Sequence, residues 1–182
     1  MSDSIAYWHT EHSNFAHLLD VFERCLAAFR KDSPPDYELM LDIVEYLRHF
    51  PDRYHHPRED VAFGHLEKRA PKLAPVLARL RTEHQLIAQT GDKLRAMLAA
   101  AAEDALVSRQ EIEKAADDYL AAYRQHIEDE EKEVMPQAGA LLTAADWADV
   151  ARAVPSGIDP LFGAKADEAY RELRRKIALE SN

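Results

Sequence analysis

The chain has 182 residues, 47% of them hydrophobic, and 33 acidic against 23 basic side chains give a net charge of -10. That length suits one domain with room for a terminal extension, and the acidic balance argues against nucleic acid as the main partner. Only five glycines occur among abundant Ala, Leu, Glu and Arg, a helical composition, and no apolar run reaches bilayer length.

The N-terminus lacks a basic region followed by an apolar stretch, so no secretory signal is expected. Cys25 is alone, cannot form an internal disulfide, and fits a reducing cytoplasm as a buried, inert thiol.

Four amphipathic helices are predicted in chain order. The first runs from about 4 to 30, with Trp8, His12, Phe15, Leu19, Phe22, Leu26 and Phe29 on one stripe. KDSPPD (31–36) ends it. The second begins near Tyr37 and carries Leu39, Ile43, Tyr46, Leu47 and Phe50. Pro51 and Pro57 predict a kink or break between about 50 and 57, after which Glu59, Ala62, Phe63 and Leu66 face inward as far as about Arg69. The third, about 72 to 101, aligns Leu77, Leu80, His84, Ile87, Gly91, Leu94 and Leu98. The fourth, about 108 to 135, aligns Ile112, Ala116, Tyr119, Tyr123, His126 and Glu130, and Pro136 is expected to limit it.

Residues 1–140 thus form an all-α, up-down four-helix bundle, and 141–182 a C-terminal helical extension. Thr143 and Asp146 resemble a capping box opening a short helix over 144–153. After a connection at 155–163, a last helix over about 164–179 puts Ala166, Ala169, Tyr170, Leu173 and Ile177 on one side. That side is expected to pack on the bundle, on a protein partner or on a second copy of the chain.

The chemistry lies in a repeated pattern. His-x-x-x-Glu occurs as His55–Glu59 in HHPRED and, about seventy residues on, as His126–Glu130 in HIEDEE. On a helix, residues four apart sit about 5–6 Å from one another at Cβ, so each pair can aim an imidazole and a carboxylate at one point. His12 and His84, each in a TEH triplet, occupy inward positions on the other two helices. A lone stripe histidine is usually a satisfied core residue; four of them with two carboxylates are costly to bury. Glu59 and Glu130 as bare anions would force one to take up a proton, whereas two cations remove the conflict. Imidazole and carboxylate together suit iron, manganese or zinc, and iron best exploits vacant positions for redox chemistry or gas binding.

His9, His17, His49, His56 and His65 fall mostly off the stripes and read as solvated or boundary residues. His56, four residues before Asp60, is the alternative to His55. The acidic run 128–133, Glu130 apart, reads as a solvated face.

TEH around His12, HHPRED around His55, TEH around His84 and HIEDEEKEVMP around His126 keep one order over about residues 5 to 140. In this the chain resembles the hemerythrin-like, HHE cation-binding proteins. The resemblance implies an antiparallel four-helix bundle around a non-haem di-iron centre. In it His12, His55, His84 and His126 are terminal ligands, and Glu59 and Glu130 bridge the irons together with an oxygen. The oxygen carriers of that family add a second histidine one turn from the third-helix ligand. Here Leu80 and Ala88 stand on either side of His84, so the chain is more similar to bacterial four-histidine members. One iron is then more open, suited to oxygen, peroxide or nitric oxide in redox or oxygen sensing, stress response or iron handling. The alternatives are a di-iron peroxidase or oxidase, with Tyr46, Tyr119 or Tyr123 as proton donor, and a structural bundle holding zinc or no functional metal.

Overall fold

The computed structural model describes residues 3–31, 35–155, 157–163 and 168–180, and among these there is no strand. The helices are α1 (Asp3–Arg30), α2 (Tyr37–Phe50), α3 (His56–Arg69), α4 (Ala74–Ala102), α5 (Arg109–Asp129), α6 (Met135–Leu141), α7 (Ala144–Ala153) and α8 (Arg171–Glu180). They compose four rods: α1, α2 continued by α3, α4, and α5 continued by α6. Contacts of α1 with α2 and α5, and of α4 with α2 and α5, close the rods into an up-down bundle.

The rods start where their caps say they should. Asp36 accepts from the Leu39 backbone N–H at 2.9 Å, and Ser108 caps α5 through Glu111. Leu39, Ile43, Leu47 and Phe50 are buried along α2, as their three- and four-residue spacing requires.

The prolines neither break the second rod nor end the fourth. Pro51–His55 forms one π-helical turn in which the His56 N–H reaches the Pro51 carbonyl, and α3 follows with Pro57 in its first turn. Glu130–Val134 forms a second such turn, Met135 N–H to Glu130 carbonyl, and α6 carries Pro136 in its first turn on to Leu141. A wide turn lets a helix proceed past a residue that cannot donate. Each of these turns adjoins one of the two His-x-x-x-Glu pairs.

The core falls into two apolar layers with polar residues between. One holds Phe15, Phe22, Ile43, Phe50, Leu94, Tyr119 and Tyr123; the other holds Trp8, Phe63, Leu66, Leu77, Leu80 and Met135.

Beyond the bundle, Thr143 and Asp146 form the expected capping box of α7. Asp146 also receives Arg69 at 2.6 Å and faces His65 at 3.2 Å, tying α7 to α3. The last helix begins at Arg171 behind a 3-10 turn, later than its spacing predicts, and rests on α1 and α2 through buried Leu173 and Ile177. Ala166 and the side chain of Ala169 lie outside the described residues. Cys25 is partly buried, not fully as expected. None of the described helices is long and apolar enough to cross a membrane.

Candidate metal centre

Between the two apolar layers, every rod turns polar groups inward. His12 comes from α1, His55, His56 and Glu59 from the second rod, His84 from α4, and His126 and Glu130 from the fourth. None of the seven exceeds 7% exposure. They fall into two interlocking quartets, His12–His55–Glu59–Glu130 and His56–Glu59–His84–His126, each offering ligand atoms within 4.8 Å of one another.

Glu59 belongs to both quartets. Its Oε1 lies 2.9 Å from His55 Nε2 and 3.5 Å from His12 Nε2, while Oε2 lies 3.5 Å from His84 Nε2. Glu130 has the same double reach, 3.4 Å to the Nε2 atoms of His12 and His126 and 3.7 Å to that of His84. The six residues expected from sequence are brought to one place. His56 joins them, although its position off the stripe suggested a boundary residue or a substitute for His55. Its ring stacks on His84 with centroids 4.4 Å apart.

The donor set fits cations. All four oxygens of Glu59 and Glu130, together with Nε2 of His84 and His126, are buried without a hydrogen-bond partner. Each such atom costs about 1–3 kcal/mol unless something satisfies it. A divalent or trivalent ion satisfies imidazole nitrogens and carboxylate oxygens at once.

The outer faces of the rings are as organised as the inner ones. Each of the five histidines sets Nδ1 against a carboxylate: His12 on Glu131 at 2.8 Å, His55 on Glu11 at 2.8 Å, His56 on Asp52 at 2.9 Å, His84 on Asp60 at 3.2 Å and His126 on Glu83 at 3.1 Å. A carboxylate only accepts, so each ring keeps a proton on Nδ1, and Nε2 is the nitrogen that can offer a lone pair to an ion at the centre. Arginines stand behind three of these acids: Arg58 on Glu11 at 2.7 Å, Arg79 on Glu83 at 3.0 Å, and Arg48 paired with Asp52.

Electrostatics without a bound ion show the same demand for positive charge. Burial lowers the pKa of His12, yet the facing carboxylates of Glu130, Glu131 and Glu59 outweigh it and lift the pKa well above normal. Burial also opposes the proton on His84, but Asp60, Glu130 and Glu59 raise its pKa to about 11. Burial would push Glu59 up; the facing histidines hold it well below the usual carboxylate range. His56 runs the other way, driven down by burial and by the charges of His84 and His55.

Sequence reasoning missed the buttressing acids. Glu131 lies in the run expected to form a solvated face, yet it braces buried His12 and also meets His9. The signal was present: each TEH triplet supplies a glutamate (Glu11, Glu83), and each His-x-x-x-Glu is followed by another acid (Asp60, Glu131). Of the three tyrosines, Tyr46 donates to Asp159 at 3.0 Å, whereas the buried hydroxyls of Tyr119 and Tyr123 have no partner.

The chain matches the family model described as the hemerythrin HHE cation binding domain over residues 3–138. No curated protein matches it.

Proposed function

The chain belongs to the hemerythrin HHE cation-binding family, and from that premise we propose that it is a non-haem di-iron protein whose centre binds or reacts with oxygen, peroxide or nitric oxide. The observation that carries this reading is the pair of quartets sharing Glu59, with Glu130 reaching both sides. His12 and His55 would serve one ion and His56, His84 and His126 the other, with Glu59 and Glu130 between them. The position left unfilled by Leu80 and Ala88 beside His84 is then taken by His56 from the neighbouring rod. That makes a five-histidine set and replaces the four-histidine reading. An ion on the His12–His55 side would have fewer protein ligands than one on the other side.

An iron pair supplies electrons and vacant coordination positions at such a centre. The chain's part is to hold five imidazoles in one tautomer, to concentrate negative charge between them, and to keep water out with an apolar layer above and below. Those properties suit a cytoplasmic role in redox or oxygen sensing, stress response or iron handling. Residues 1–140 form the metal-binding unit, and 141–182 an extension through which metal state could reach a protein partner or a second copy.

Anaerobic reconstitution with ferrous iron followed by exposure to air tests the reading. Two irons per chain and a new near-ultraviolet charge-transfer band are expected. No retained iron, or one iron without the band, would overturn it and leave a zinc-bound or purely structural bundle.

A further inference from the structure

The two halves of the bundle share a ligand pattern but differ in the residues beside it. His55 and Glu59 recur 71 residues on as His126 and Glu130. The same step carries Arg48, Asp52 and His56 onto Tyr119, Tyr123 and Ile127. In the first half these residues form a polar ladder: Arg48 pairs with Asp52, and Asp52 accepts from His56 at 2.9 Å. In the second half the ladder is two tyrosines and an isoleucine. No third imidazole serves the His12–His55 side, and both tyrosine hydroxyls are buried without a partner.

Tyr123 is the nearer of the two to the centre. It is fully buried one helical turn before His126, and its ring lies 6.2 Å from that of His56. It also meets Phe15 edge-on at 6.4 Å, and Phe15 in turn meets His55 at 5.0 Å. Tyr119 lies one turn further away, beside Tyr123. A phenylalanine would fill the same space without an unpaired hydroxyl; at Tyr123, whose ring also meets that of His56, such an oxygen points to an acceptor that arrives with a ligand.

We propose that the Tyr123 hydroxyl donates a hydrogen bond to a small ligand bound at the centre. Its acceptors are two- or three-atom molecules with a lone pair to offer: dioxygen, peroxide, nitric oxide or azide. The proposal rests on the di-iron reading and adds to it a residue that selects and orients the ligand.

Azide is the probe, added to the iron-loaded protein after its iron content has been measured. In the wild type the azide stretch is expected to shift between water and deuterium oxide. In Tyr123→Phe that shift should vanish and azide should bind about three- to tenfold more weakly, the factor one hydrogen bond carries. Tyr119→Phe should change neither. In the metal-free protein, Tyr123→Phe should melt no lower than wild type, because only an unpaired hydroxyl is removed. Azide affinity unchanged in Tyr123→Phe, or lowered equally in both variants, overturns the proposal. So does the absence of an isotope shift in the wild type, which decides the matter even if the variant does not fold. Fewer than two irons in the wild type would instead show that the centre itself was misread, and this inference falls with it.

Discussion

Glu131 accepts from His12 Nδ1 at 2.8 Å across 119 residues of sequence, and Asp60 stands 3.2 Å from His84 in the mirrored relation. Each half of the bundle thus braces a histidine of the other. Glu11 and Glu83 brace His55 and His126 within their own halves. The rings are therefore held before any metal arrives, and the bracing contacts join all four rods.

Removing a brace should cost metal affinity before it costs the fold. Glu11→Gln is expected to weaken metal binding about 10- to 100-fold, the range found when the carboxylate behind a histidine ligand is lost. Glu131→Gln should do the same, and both variants should keep wild-type helicity. Competition with a chromophoric chelator measures the affinity; circular dichroism measures the helicity. Tight binding in both variants would mean that the Nδ1 contacts do not position the rings.

His56→Ile places at position 56 the residue found at the related position, Ile127. The expected outcome is one ion bound normally and the other at least 10-fold more weakly, the loss of a ligand costing no less than the loss of a brace. A cobalt titration resolving two steps would show it. Unchanged binding of both ions would return His56 to the boundary role that its place off the stripe suggested.

That displaced expectation shows what a helical pattern can and cannot carry. His12, Glu59, His84, His126 and Glu130 share stripes with core residues, so periodicity alone turned them inward. His56 follows His55 directly, and neighbours on a helix point roughly 100° apart, so only one of them can lie on a given stripe. The centre is wide enough to be lined from two flanks of one rod: His55 faces His12 on α1, and His56 stacks on His84 of α4. Spacing within one helix does not contain that fact. Pro51, Pro57 and Pro136 misled for another reason. A missing N–H reads as a stop, while a π-helical turn spends it without leaving the helix. The acidic run at 128–133 showed charge but not which carboxylate turns inward.

Metal should protect the fold more as pH rises. In the metal-free chain the pKa of His84 rises from 6.5 to about 11, and that of His12 rises too. A raised pKa stabilises the fold fully below the unfolded value and loses that contribution as pH climbs toward the folded one. Glu59, lowered from 4.5, contributes above that value and loses its contribution as pH falls. His56, whose pKa is lowered, adds a cost that grows as pH falls below 6.5, so metal-free protein is expected to be most stable toward the upper end of the range from about pH 4.5 to 6.5 and to weaken above it. Metal takes the place of the protons, so the difference in Tm between loaded and metal-free protein should widen from pH 6 toward pH 9. Thermal scans of both forms at matched pH test this; a constant difference would mean that protons and metal do not compete for the same atoms.

Gly91 lies on α4 where the Arg48 side chain crosses. A Cβ there would collide with Arg48 Cδ and approach Tyr119 Cε2 to 3.0 Å. The glycine therefore lets Arg48 reach Asp52 at one end and Asp92, 3.1 Å away, at the other. Gly91→Ala gains helix propensity of about 1 kcal/mol but overpacks a buried contact, at about 1–3 kcal/mol. Arg48 is long and can give way, so the overpacking cost is expected near its lower end, about 1 kcal/mol, and the two effects should nearly cancel in urea unfolding. The more telling effect is on the centre. An Arg48 pushed aside no longer holds Asp52, and Asp52 then holds His56 less firmly. Gly91→Ala should therefore weaken the same ion that His56→Ile weakens, and combining the two should add little further loss. Full additivity of the two losses would show that Gly91 serves packing alone.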